Sequence, residues 1–252
     1  MKYFPILRTR RLTVQFQELA IGDAIAVASM PEHLSEAECT VFLRFAIKEV
    51  TTGSPDPASW TVQERMSGVA HYLASVAEDG PDFSLGKSKY SDFLDGAADI
   101  SLALKQVPIG NVGDEDWEIR HLTGNMTESI ERLMGDVAQL SPRLHWVVGA
   151  MAAQLVRVSE NEQVLDTPAL YDEWLLHRMQ VLMTIAESDF EQLMSAYNAG
   201  REKLHHLFAY TFDEDGIVVL AKEGGAEGWP SARFSVSACL SKLARTMAGK
   251  PV

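Results

Sequence analysis

The groups that could do chemistry are scattered in this chain rather than clustered. Its seven histidines are His33, His71, His121, His145, His177, His205 and His206, and no two fall on one helix face in the HExxH manner that holds zinc. His205 and His206 are adjacent, so their rings diverge on either backbone periodicity. Cys39 and Cys239 are the only cysteines, and they lack the spacing of a metal knuckle or a disulfide framework. Asp213-Glu214-Asp215-Gly216 has the look of part of a calcium loop. With Gly216 in the sixth place, however, Thr211 would take the first ligand position and Lys222 the final bidentate one, so the match fails. Gly110-Asn111-Val112-Gly113 has neither the lysine nor the strand-turn-helix context of a phosphate cradle, and no GxSxG elbow occurs. No catalytic residue, metal or cofactor is expected. His71 reads as a satisfied core or interface histidine.

Charge narrows the partners. The 252 residues carry 35 acidic against 22 basic side chains, a formal net charge of −13. Binding to nucleic acid without sequence preference runs on phosphate neutralisation, which this balance disfavours. Arg8, Arg10 and Arg11 form the one basic cluster, with a solvated or partner-pairing role preferred to phosphate binding. No apolar run reaches the roughly 18 residues of a membrane span, and the start lacks the apolar core of a signal peptide. A protein made in a reducing cytoplasm, with no membrane span, is expected. A hydrophobic content of 46% permits an ordinary core.

The elements that would position these groups centre on the segment after Trp60. Thr61 and Glu64 make a capping box, and Val62, Met66, Val69, Leu73 and Val76 then recur at four, three, four and three to give one apolar stripe. Gly80-Pro81 stops that helix. Phe83, Leu85, Tyr90, Phe93 and Leu94 follow within twelve residues, interrupted by Gly86-Lys87-Ser88-Lys89, so they cannot share one helical stripe. They form the candidate interface, because a surface loop with that much apolar area needs a cover.

Upstream, alternation in Leu12-Thr13-Val14-Gln15-Phe16 predicts a strand over residues 10–17. A short helix is predicted over residues 21–29. Ser35 and Glu38 make a second capping box, opening a helix that runs to about Val50. Residues 101–125 suggest short strands at 103–107 and 117–122, with any domain boundary near 110–125. The division is therefore residues 1–110 and 111–252, or one continuous domain. Downstream, helices are predicted from Glu128, from the Ser141-Pro142 and Thr167-Pro168 starts, and from a Ser188 cap. In the second of these, Leu144, Val147, Val148, Met151, Leu155 and Val158 would share one face. Phe208-Tyr210-Phe212 and Ile217-Val219-Ala221 read as a β-hairpin, and Ser237 as the cap of a last helix through Met247. The fold class is α+β, predominantly helical: an N-terminal strand with helices, a helical second half and a C-terminal β-hairpin. Methionines 126, 134, 151, 179, 183 and 194 read as core, with a helix-lined groove for a partner as the alternative.

Two stretches resemble a known group. They are the strand and helices of residues 6–50, and the junction Asp56-Pro57-Ala58-Ser59-Trp60-Thr61-Val62-Gln63-Glu64-Arg65 with its tail Gly80-Pro81-Asp82-Phe83-Ser84 and Tyr90-Ser91-Asp92. Together they resemble structural proteins of bacteriophage tails, nearest to the baseplate-hub family of contractile-tailed phages. The resemblance covers residues 6–96. It implies a virion subunit in the tail, made in the bacterial host cytoplasm, whose partners are other tail or baseplate proteins in a homo- or hetero-oligomer. It implies no catalytic residues, no specific nucleic acid and no turnover. A tail-assembly chaperone absent from the mature virion is one alternative. An enzyme with a dispersed, motif-less active site is the other.

Overall fold

The structure is a computed structural model that describes residues 2–95, 105–160, 167–222 and 231–250. In chain order the elements are β1 (Leu7–Arg8), β2 (Thr13–Phe16), α1 (Ile21–Ala28), α2 (Ser35–Ala46), β3 (Ile47–Thr52), α3 (Val62–Val76), β4 (Ser84–Leu85), β5 (Ser88–Lys89), β6 (Gln106–Val112), β7 (Glu115–Arg120), α4 (Gly124–Arg132), α5 (Pro142–Gln154), β8 (Leu155–Arg157), α6 (Pro168–Leu182), α7 (Glu187–Lys203), β9 (Ala209–Asp213), β10 (Gly216–Leu220) and α8 (Lys242–Met247). This is a mixed α+β fold. Its sheets are small and antiparallel: β1-β2-β3, β6-β7-β8, and the hairpins β4-β5 and β9-β10. Among the described residues no helix is long and apolar enough to cross a membrane.

Two apolar cores divide the molecule, and the chain weaves between them. The first gathers Leu12, Val14, Phe16, Phe42, Leu43, Val69 and Leu73 with Phe208, Phe234 and Leu240 from the far end. The second gathers Ile119, Leu122, Ile130, Trp146, Met151, Leu175, Leu193 and Tyr197. Helix α3 belongs to both, with Val62 in the second core, Val69 and Leu73 in the first, and Met66 against each. The hairpin β9-β10 does the same, giving Val219, with Phe208 just before the hairpin, to one side and Phe212 and Ile217 to the other. The stretch where a boundary was expected is filled by paired strands, Val107 opposite Ile119 and Val112 opposite Glu115.

Several expectations change. Helix α2 ends at Ala46, and the chain continues as strand β3, which the helix had been expected to cover. The reason is tertiary: Val14 pairs with Val50 and Phe16 with Ile47, so β2 gains a partner that local periodicity does not announce. The second half is less purely helical than expected. Leu155 ends α5 and starts β8, pairing with Ile119, while Leu144 and Val158 are exposed. Ser188 lies inside α7, whose N-cap is Ala186, and Ser241 rather than Ser237 caps α8. The acidic hairpin turn is tighter than a four-residue loop, because Asp213 already pairs with Gly216, whose φ of +116° suits glycine. The strand expected at residues 103–107 lies partly outside the described residues.

Candidate functional site

Among the described residues, a seam between the cores, a cleft beside it and a surface groove gather polar or exposed groups.

The seam is built at the first turn of α3. The Thr61–Glu64 capping box forms as read: the Glu64 amide donates to Thr61 Oγ1 at 3.1 Å, and the Thr61 amide to Glu64 Oε2 at 2.9 Å. The start of α4 lies alongside, the Val62 amide donating to Leu122 O at 2.9 Å and the Gly124 amide to Trp60 O at 3.0 Å. One turn on, Arg65 is only 1% exposed. Its guanidinium donates to Thr127 Oγ1 at 3.1 Å and to Glu36 O at 2.5 Å, and lies 3.3 Å from Glu36 Oε2. Burial opposes its charge, but Cys39, Glu36 and Glu128 around it outweigh that and hold its pKa above the ordinary arginine value. A Cβ on Gly124 would fall 2.3 Å from Arg65 Nη1 and 2.9 Å from Ala58 O, so glycine makes room for the cation.

Glu131 of α4 closes the seam by capping a different helix. Its carboxylate accepts the Ser35 hydroxyl at 3.2 Å and the amides of Glu36 and Ala37 at 2.8 and 3.1 Å. The expected Ser35–Glu38 box is therefore corrected: the N-cap position of α2 is Leu34, without a side-chain cap, and the orphan amides are taken from across the core. Burial pushes the Glu131 pKa up to about 7, with the two amides pulling the other way.

His206, 0% exposed, completes the arrangement. Leu204 O lies 2.8 Å from Nδ1 and can only accept, so Nδ1 carries the proton. Nε2 then accepts the Thr61 hydroxyl at 2.8 Å, and that hydroxyl takes the Glu64 amide in turn. Burial holds the imidazole neutral, its pKa pushed down to about 3. His121 meets His206 edge-on at 4.9 Å between ring centroids. This arrangement is a hydrogen-bonded joint: Arg65, Glu131 and His206 are each committed to a structural partner.

Beside the seam lies a cleft of about 980 Å³, lined in part by Glu38, Glu131, Trp146, Arg233, Arg245 and Lys250. Burial pushes Glu38 up to about 7, Lys250 lowers it and Glu32 raises it. A smaller cavity of about 80 Å³ shares Ser35, Glu38, Arg233 and Ser235 with the cleft and is also lined by Cys39 and Arg65. Burial raises the Cys39 thiol to about 11, and both cysteines are free. His33 and His177 are exposed, and His145 is buried with its Nε2 2.7 Å from Ile130 O. Among the described residues no three His, Cys, Asp or Glu side chains come together in a group that could hold a metal.

The aromatic segment, read as a candidate interface that needs a cover, is covered in large part by its own chain. Phe83 and Phe93 are 2% and 1% exposed, inside the first core. Leu85, Tyr90 and Leu94 are half-buried and pack against it. Tyr90 stacks on Phe83 at 5.1 Å with 13° between the planes, and Phe234 meets both edge-on at 6.3 and 5.8 Å. Three carboxylates hold the loop's backbone: Asp79 accepts the Ser84 amide, Asp92 that of Lys89, and Asp82 that of Ser91, at 2.7, 2.7 and 2.8 Å. The cover comes from Phe208 and Phe234, far along the chain, which no local pattern reveals.

Tyr90 and Leu94 nevertheless reach a surface groove of about 690 Å³, lined also by Tyr3, Pro5, Leu7, Arg8, His71 and Leu207. Tyr3 is 82% exposed. His71 Nε2 donates to Pro5 O at 2.8 Å, which ties the N-terminal segment to α3, and burial lowers its pKa. So two of the five sequence-predicted interface residues border a surface recess, and three do not. No sequence pattern marks Tyr3, and Arg8 is marked only by its basic neighbours Arg10 and Arg11. No protein-family model matches this chain, and no curated protein or solved structure matches it either.

Proposed function

We propose that the chain is a structural subunit of a bacteriophage tail or baseplate, acting by protein–protein contact with other tail proteins. The observation that carries the contact reading is the groove between the N-terminal segment and the aromatic loop, where Tyr3 stands 82% exposed over a rigid apolar floor. Large apolar side chains gathered at a surface recess are what partner surfaces use. The tail assignment rests on the resemblance of residues 6–96. In this reading the protein is made in the host cytoplasm and ends in the virion.

Mass spectrometry of purified particles tests it. A fixed number of copies per tail is expected. Absence from particles, with binding to a tail protein before assembly, would make it the assembly chaperone. Absence from both would end the tail reading.

One observation favours the enzymatic alternative. Glu38 faces a cleft large enough for a small ligand and has a pKa near neutrality, the range suited to a general acid or base. Of the other carboxylates that line the cleft, Glu131 is occupied as a helix cap, while Glu32, Glu214 and Asp215 line it as well.

A further inference from the structure

We infer that the groove beside Tyr3 receives an extended, apolar and acidic segment of a different protein, an inference that rests on the contact reading above. Three features of the groove point to that occupant.

The first is preorganisation. Tyr90 is fixed by its stack on Phe83, and Pro5 is held by the hydrogen bond from His71. A partner therefore meets a floor that is already ordered, and it loses less to side-chain immobilisation on docking. Tyr3 supplies the exposed aromatic anchor at the rim.

The second is charge. The chain as a whole carries 35 acidic and 22 basic residues, yet among the described residues that line the groove there is no carboxylate. His71 there is a neutral donor, which leaves the exposed Arg8 as the fixed charge of the site. A cation beside an apolar floor selects a carboxylate next to apolar side chains. It discriminates against lysine-bearing segments by like-charge repulsion.

The third is the backbone. Arg8 and Leu7 form β1, the outer strand of the sheet β1-β2-β3. An extended segment laid along an outer strand places alternate side chains to one face, which suits apolar groups pointing into the groove with acids between them. A second copy of this chain is the weaker occupant, because it brings the repulsion of a whole body of net charge −13, whereas a short segment brings only the carboxylates that Arg8 faces.

The test uses the full chain and three short fluorescent peptides: one alternating leucine with aspartate, one with lysine for aspartate, and one with serine for leucine. Anisotropy titrations should show the leucine–aspartate peptide binding at least about tenfold more tightly than either control, a difference well within reach of one lost charge pair or one apolar anchor. Tyr3→Ala should weaken that binding by about tenfold. Arg8→Glu should shift the preference to the lysine peptide. Both side chains are exposed, and circular dichroism should show both variants folded as the parent is. Equal binding of the two charged peptides, or binding indifferent to both substitutions, would overturn the inference. So would self-association in sedimentation that Tyr3→Ala abolishes, which would make the occupant a second copy. Particle incorporation separates the two levels of the argument. If a variant that carries both Tyr3→Ala and Arg8→Glu loses the leucine–aspartate peptide yet enters particles in full number, the groove is not the assembly surface and the subunit reading stands. If the unaltered chain binds the peptide but is missing from particles, only the subunit reading fails.

Discussion

The seam and the groove invert what residue type alone would suggest. At the seam, Arg65, Glu131 and His206 are almost wholly out of solvent, while at the groove Tyr3 stands in it. Buried polar groups are tolerated where they find partners, and this joint draws those partners from α2, from α4 and from the N-cap of α3. An exposed aromatic ring needs no such network, so nothing local fixes its surroundings. The comparison teaches that a polar side chain here is evidence of fixed geometry between elements, and an apolar one at the rim is evidence of a surface left open. Energetically the two regions should respond to truncation in opposite ways.

The largest effect is expected at the seam. Arg65→Ala removes the cation that Glu36 faces, leaves its carboxylate with the Thr127 hydroxyl but no countercharge from Arg65, and takes the donors from Thr127 Oγ1 and Glu36 O. Breaking a buried pair by removing one partner costs about 3–5 kcal/mol. Urea denaturation should show that loss, and a change under about 1 kcal/mol would mean that the seam relaxes around the missing charge. Phe83→Ala comes next. It opens a hole beneath Tyr90 and Phe234 in the first core, with an expected cost of about 3 kcal/mol. That outcome would place Phe83 with the seam side of the comparison, as an intrachain anchor. Loss of partner binding at unchanged monomer stability would return it to the interface.

A pH series sharpens the same contrast. Glu131 has a folded pKa of about 7, above its ordinary 4.5. Its contribution to stability is therefore complete below about pH 4.5 and is lost as pH rises through 7. His206 runs the other way, its folded pKa of about 3 lying below the ordinary 6.5. Its contribution is present above 6.5 and is lost as pH falls toward 3. Each slope is at most about 1.4 kcal/mol per pH unit. Glu131→Gln should remove the first limb, so that the parent gains stability relative to the variant as pH falls from 7 to 4.5. A flat difference over that window would show that the α2 amides hold the carboxylate ionised in spite of its burial.

What could be read in advance follows the range of the interactions. The Thr61–Glu64 box, the Ser141-Pro142 and Thr167-Pro168 starts and the β9-β10 hairpin are set by residues a few places apart, and each stands where its signal lies. The failures are long-range. Ser35 resembles a cap, yet its hydroxyl is spent on Glu131. Ile47 and Val50 continue a helical period, yet β2 captures them as a strand. Gln63, Glu64 and Arg65 sit on what periodicity makes the polar side of α3, yet all three are buried, with Arg11 against Glu64 and with Glu36 and Thr127 against Arg65. For the groove, Tyr90 and Leu94 were legible as apolar groups in need of cover. Tyr3 was not, because a single aromatic near a chain start has no pattern around it, and only the fold brings it beside them.

The smallest stability effect belongs to Tyr3→Ala, and it carries the comparison's other half. A side chain 82% exposed has little contact area to lose, and surface truncations of this kind usually change stability by less than about 0.5 kcal/mol. The N-terminal segment is held by other means. Gln15 donates to Phe4 O at 2.9 Å, His71 to Pro5 O, and Leu7 pairs with Val14, so the backbone beneath Tyr3 does not depend on its ring. Melting and urea curves of Tyr3→Ala should therefore overlay those of the parent, while Phe83→Ala, across the same loop, shifts both. A loss of more than about 1 kcal/mol would mean that Tyr3 straps the N-terminal segment to α3, and that the ring is part of the monomer's packing rather than an anchor held out for a partner. An unchanged monomer with weakened partner binding is the result that separates a residue kept for contact from one kept for the fold.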